Sequence, residues 1–135
     1  MSLEENKALV KRFYEAIERM DFDAVGEMVH EDFVFYPQVD SPRPGVQGLI
    51  DSEKASFESF ASFIFPVIAM VAEGDMVAAY MHFEGKGYNG LTMNMPARGQ
   101  SVRMSLMHLL TIKDGKILEK RAHFDYKDIL NQLAS

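Results

Sequence analysis

The stretch that decides the fold is VRMSLMHLLTIKDGKILEKRAHF, residues 102–124. Two runs rich in Val, Ile, Leu and Met flank Asp114-Gly115, a dipeptide that marks a hairpin turn. Successive side chains of a strand point to opposite faces. In the first run Val102, Met104, Leu106, His108, Leu110 and Ile112 therefore share a face, against Arg103, Ser105 and Thr111. In the second, Leu118, Lys120, Ala122 and Phe124 share a face, against Glu119, Arg121 and His123. Each apolar face carries one polar exception, His108 in the first and Lys120 in the second. A two-residue loop would pair Lys113 with Lys116 and put the two apolar faces on opposite sides of the hairpin. A three-residue loop with Gly115 in a left-handed bulge keeps them together. The expected register then sets Leu110 opposite Leu118, His108 opposite Lys120, Leu106 opposite Ala122 and Met104 opposite Phe124. In that register the Cβ atoms of His108 and Lys120 lie about 4.5–5.5 Å apart.

Two basic groups against an apolar wall cannot both be charged at low cost, because burial and like charge each favour the neutral base. His108 is therefore expected to be neutral at pH 7. Lys120 is expected either to give up its charge or to lean its ammonium toward the mouth of a cavity. On the other face, Met107, Leu109 and Tyr80 are unusually apolar for an exterior. A covered surface, and hence a homodimer through the outer face of the sheet, is the expectation. Arg103 is expected to meet Asp125 across the strands, and Asp125 to cap the closing helix over YKDILNQLA.

Upstream, Leu9, Phe13, Ala16 and Met20 repeat at helical spacing over residues 3–20. Asp21 suits the N-cap of a short second helix. EDFVFYP reads as a strand ended by Pro37, and QVDSPRPGVQG as a loop. LIDSEKASFESFASF reads as a third helix stopped by Pro66, with Phe57, Phe60 and Ala61 on one side. PVIAMVA and MVAAYMHFEGKG then flank a turn at EGD, and a long irregular connection leads to the last hairpin. Three N-terminal helices followed by strands predict an α+β fold, a cone-shaped curved sheet of mixed or antiparallel strands around an apolar pocket.

A length of 135 residues fits a single domain over 1–135. A net charge of −6 repels phosphate backbones, so nucleic acid is not an expected partner. With no cysteine there is no thiolate nucleophile and no Cys metal site. The four histidines show no metal-ligand spacing, and neither a G-x-S-x-G elbow nor a Gly-rich phosphate loop is present. No metal and no cofactor are expected. MSLEENKALVKRF is charged and helical rather than a signal peptide, and no run is long enough to span a membrane, so a cytoplasmic protein without a membrane partner is expected. Ten Met and ten Phe suit an adaptable core around a ligand cavity. PARGQS places a glycine and Arg98 near the expected mouth; a plain β-turn is the expected reading, and contact with an acidic substrate group is the alternative.

The start ENKALVKRFYEAIERMDFDAV, the central AEGDMVAAY, the connector MNMPARGQSV and the ending DGKILEKRAHFDYKDILNQL together resemble SnoaL-like polyketide cyclases. These belong to the nuclear transport factor two and ketosteroid isomerase-like superfamily, with its cystatin-like cone. The resemblance runs nearly end to end. It implies a deep apolar pocket and frequent homodimers, on a scaffold that hosts cyclases, isomerases, dehydratases, epoxide hydrolases and non-catalytic binders. It also implies that His108 stands where related enzymes carry a pocket His or Asp. Ala122 aligns with the acidic acid/base residue of such cyclases, and alanine moves no proton. Tyr36 aligns with the isomerase base, and Phe13 with a tyrosine that the isomerase offers from its first helix.

The candidate catalytic groups are thus His108 as proton acceptor, Lys120 as its electrostatic neighbour and Tyr36 as a hydrogen-bond donor. Phe13, Phe33, Met104, Leu106, Ala122 and Phe124 are the candidate substrate-binding wall. That set suits proton transfer on a small, mostly apolar carbonyl compound, the work of an isomerase, cyclase or lyase. The same residues also describe a non-catalytic dimer that binds an apolar metabolite, and the two readings stay open at this point.

Overall fold

Helix α1 (Leu3–Glu18) starts where the sequence supplies a capping box. The Ser2 hydroxyl accepts the Glu5 N–H, and the Glu5 carboxylate accepts the Ser2 N–H. Val10, Phe13, Tyr14 and Ile17 recur at helical spacing and are buried along its inner stripe. Asp21 caps the short α2 (Phe22–Met28) by accepting from Ala24 N–H. The computed structural model describes residues 1–135 and continues as β1 (Val29–Tyr36), β2 (Arg43–Pro44), α3 (Val46–Glu58), β3 (Phe60–Ile64), β4 (Val67–Glu73), β5 (Met76–Tyr88), β6 (Val102–Lys113), β7 (Lys116–Phe124) and α4 (Tyr126–Ala134). Asp125 caps α4 by accepting from Asp128 N–H. No helix is long and apolar enough to cross a membrane.

The strands form one mixed sheet in the order β2-β1-β7-β6-β5-β3, with β4 also paired to β5. Only β1 and β7 run parallel. The α+β expectation of helices against a curved mixed sheet matches this architecture, with β1 and β2 standing before the third helix. Helix α1 packs over β4 and β5, α3 over β1 and β3, and α4 against β6.

Two expectations change. The third helix ends at Glu58, and residues 60–64 are strand β3 on the edge of β5. Phe57, Phe60 and Ala61 have helical spacing, but glycines of β5 leave room for Phe60 and Ala61 against the sheet. A Cβ on Gly85 would stand 2.7 Å from the Phe60 ring, and one on Gly87, at φ +74, would stand 2.8 Å from Ala61 Cβ. Room for that close approach draws the segment into the sheet.

The hairpin register also differs. The turn is the two-residue Asp114-Gly115, with φ values of 54 and 73, and Lys113 pairs with Lys116. Ile112 then pairs with Ile117 but Thr111 with Glu119, so Leu118 is an extra residue in β7. This bulge restores the parity that the three-residue loop was invoked to provide. His108 lies opposite Ala122, and Lys120 opposite Leu110. Leu106 lies opposite Phe124, not Ala122, and Met104 therefore does not pair with Phe124. Ile117 rather than Leu118 takes the inward place at the turn. Arg103 pairs with Glu84 at 3.4 Å instead of Asp125, since its cross-strand neighbour is on β5.

Candidate functional site

The sheet and α3 enclose a cavity of about 500 Å³. Phe57, Phe60, Phe65 and Phe83 make one wall of it, and Leu106, His108 and Ala122 another. Met104, Phe124, Tyr126 and Arg43 also line it, the last three on its solvent side. The volume and the mostly apolar wall are those of a small-molecule site.

At the closed end, four polar side chains form one chain of contacts. His108 is buried on β6. Its Nδ1 is 2.5 Å from the Tyr14 hydroxyl of α1, with the two rings stacked at 5.2 Å between centroids. Lys120 on β7 is sealed at 0% exposure, with its ammonium 5.3 Å from the centre of the Tyr14 ring and 5.1 Å from that of Phe35. Glu53 Oε1 of α3 accepts from Lys120 Nζ at 3.1 Å. Leu49, Glu53 and Phe57 are four residues apart on α3, so the carboxylate projects from the helix's buried stripe and reaches the cavity.

Hydrogen-bond supply fixes the tautomer of His108. The Tyr14 hydroxyl has no other partner in the protein, so it satisfies its proton only by donating to Nδ1. Burial holds the Tyr14 phenol well above its ordinary range, and the nearby Glu53 charge adds to this, so the donor is the neutral phenol. The imidazole is held well below its ordinary range by burial first, then by the Lys120 and His123 charges. His108 is therefore neutral, as the sequence predicts, with its proton on Nε2. Nε2 has no protein partner and is not among the sealed, unpaired polar atoms. On a cavity-lining residue that leaves an N–H open to the cavity.

The sequence-derived candidates divide on position. His108, Met104, Leu106, Ala122 and Phe124 line the cavity. Lys120 points inward but lies behind Phe35 and Glu53, and it does not lean to the mouth. Tyr36 is on the opposite face of β1, stacked under the Arg121 guanidinium at 4.0 Å, because Phe33 and Phe35 take the inward parity of that strand. Phe13 and Phe33 are buried core residues outside the cavity wall. Arg98 is occupied by the backbone, donating to the carbonyls of Leu133 and Ser135 at the end of α4. Sequence reasoning missed Tyr14 and Glu53. Both are polar residues on the apolar stripe of a helix, the same kind of signal that singled out His108 and Lys120 on strands.

A family model described as SnoaL-like polyketide cyclase matches residues 8–133. No curated protein matches the chain. Among solved structures, AclR from Streptomyces galilaeus superposes with a TM-score of 0.86 at 24% identity, covering 98% of this chain and 87% of its own. TsrD from Streptomyces laurentii gives 0.85 at 20% identity, covering 98% and 97%. An LEH-like epoxide hydrolase from M. tuberculosis gives 0.73 at 19% identity, covering 98% and 91%. At these identities the likeness is one of fold.

Proposed function

The chain belongs to the SnoaL-like polyketide cyclase family, and from that premise we propose that it binds a small, mostly apolar carbonyl compound and moves a proton on it without a cofactor. The observation that carries this reading is the polar chain Glu53–Lys120–Tyr14–His108 at the end of a mostly apolar cavity. The Nε2–H of His108 is a donor for the carbonyl oxygen, and it strengthens as that oxygen gains charge. This replaces the proton-acceptor role for His108. The acceptor is Glu53, whose Oε1 is engaged by Lys120 and whose Oε2 carries no protein hydrogen bond. The proton leaves a carbon beside the carbonyl for Glu53 Oε2, the enolate oxygen is held by His108, and the proton returns to carbon or to a leaving group.

The test is hydrogen–deuterium exchange at the α-carbon of 1-tetralone in D₂O, followed by NMR. The wild-type protein is expected to accelerate exchange over buffer. Glu53→Gln, with its folded fraction checked in the same sample, is expected to lose about 10²–10⁴-fold of that acceleration. Exchange at the buffer rate with wild type, or undiminished in Glu53→Gln, overturns the proton-transfer reading.

Ala122 favours a second reading. It lines the cavity opposite His108, at the position where the family resemblance implies an acidic group. A non-catalytic binder of an apolar metabolite would hold 1-tetralone, seen as NMR shift changes, without speeding its exchange. In either reading we propose that two copies pair through the outer face of the sheet. Val71, Met107, Leu109 and Tyr80 expose apolar area there.

A further inference from the structure

The cavity wall carries three charged or readily charged groups, and they are not alike. Glu53 is matched by Lys120 at 3.1 Å. His108 is held neutral. Arg43 has no carboxylate partner within ion-pair distance, although the chain carries a net charge of −6. An acidic protein has carboxylates to spare, so an unpaired guanidinium on the solvent side of an apolar cavity is a local inversion of charge.

Its position is built. Arg43 lies in the two-residue strand β2, where it pairs with Phe35 of β1. Its guanidinium carbon is 5.9 Å from the centre of the Phe35 ring, and Phe35 is itself part of the cavity wall. The start of its side chain rests on α3 at Gly48, where an added Cβ would come within 3.1 Å of Arg43 Cβ. The glycine thus admits the arginine stem against the helix, and the aromatic face supports its head. The planar fork remains free to accept a two-pronged anion.

We propose that Arg43 anchors a carboxylate on the ligand, so that the cavity takes an amphipathic keto acid: apolar body inside, carbonyl toward His108, carboxylate at the rim. This inference rests on the apolar-pocket reading above and adds the charge of the ligand to it. The distribution of charge also gives a direction of entry. An anion repelled by most of the surface is drawn to the one free cation at the mouth.

The test uses 6-acetyl-2-naphthoic acid and its methyl ester, which share body and ketone and differ in charge. Binding is read from the fluorescence of the naphthalene, since the protein has no tryptophan to interfere. The acid is expected to bind wild type about 10-fold more tightly than the ester, with an advantage that shrinks as salt is raised. Arg43→Met, which keeps much of the apolar stem, is expected to remove that advantage, with acid binding falling about 10-fold further than ester binding. Equal binding of acid and ester to wild type, or an acid preference that survives in Arg43→Met, overturns the assignment of Arg43 and leaves the apolar pocket standing. Failure of both ligands to bind wild type overturns the pocket reading and this one with it.

Discussion

Glu53→Gln isolates the energetics of the buried pair. Lys120 is sealed at 0% exposure, and its ammonium is 3.1 Å from Glu53 Oε1. At that distance, with an effective dielectric constant of about 20, the lost attraction is about 5 kcal/mol. The glutamine oxygen still accepts a hydrogen bond, so the expected loss is about 3–4 kcal/mol, at the lower end of the range for removing one partner of a buried pair. Lys120→Met should cost less, about 1–2 kcal/mol, because the Glu53 side chain retains 14% exposure toward the cavity and keeps some hydration. The double variant Glu53→Gln/Lys120→Met should recover most of the loss. Urea denaturation at pH 7 measures all four proteins. A Glu53→Gln loss below about 0.5 kcal/mol at pH 7 would falsify the account of Lys120 as a sealed cation with a single counter-charge.

Tyr14→Phe removes the donor to His108 Nδ1 and is expected to cost about 1–3 kcal/mol in urea denaturation. It should also release the tautomer, so that ¹⁵N NMR is expected to show a protonated Nε2 in wild type and a mixture in the variant. An unchanged spectrum would break the hydrogen-bond argument. Because the folded imidazole is held well below the ordinary value of 6.5, the unfolded chain takes up a proton first as pH falls. His108 should thus cost wild type about 1.4 kcal/mol between pH 8 and pH 5.5, and His108→Gln should show that much less acid sensitivity in the same titration. Met107→Glu places a charge in the exposed apolar patch of β6. Sedimentation equilibrium should find wild type as a dimer and this variant as a monomer; a monomeric wild type removes the pairing proposal.

Most of the architecture is legible in the sequence because it rests on period. The capping serine and aspartates, the helical stripes of α1 and the alternation in β6 and β7 each give a local rule that the packing obeys. Strand β3 escapes because Phe57, Phe60 and Ala61 satisfy a helical rule, while the deciding fact lies 25 residues away, in the space that Gly85 leaves for Phe60. The site was half legible for a related reason. A lone polar residue on an apolar face is visible one strand at a time, which finds His108 and Lys120. Its partner is found only by asking what a buried cation requires. That question leads to the one carboxylate set between Leu49 and Phe57 on the inner stripe of α3, and then to the tyrosine on the inner stripe of α1. Tyr36 fails by the same parity rule. Phe33 and Phe35 cannot face inward unless Tyr36 faces out.

Parity also explains why one extra residue matters so much to the site. The two-residue turn pairs even positions with odd ones, so a regular hairpin would have kept His108 inward and turned Lys120 to the outer face. Glu53 would then face the cavity as an unpaired carboxylate, and His108 would lose the charge that, after burial, does most to keep it neutral. Leu118 corrects the count after only one residue pair beyond the turn. From there Lys120 and Ala122 enter the interior together, one behind the wall and one within it. The bulge is therefore a determinant of the chemistry as well as of the strand. It decides that the cavity ends in a neutral imidazole with a free N–H and a carboxylate held by an amine, instead of a protonatable histidine beside a lone acid.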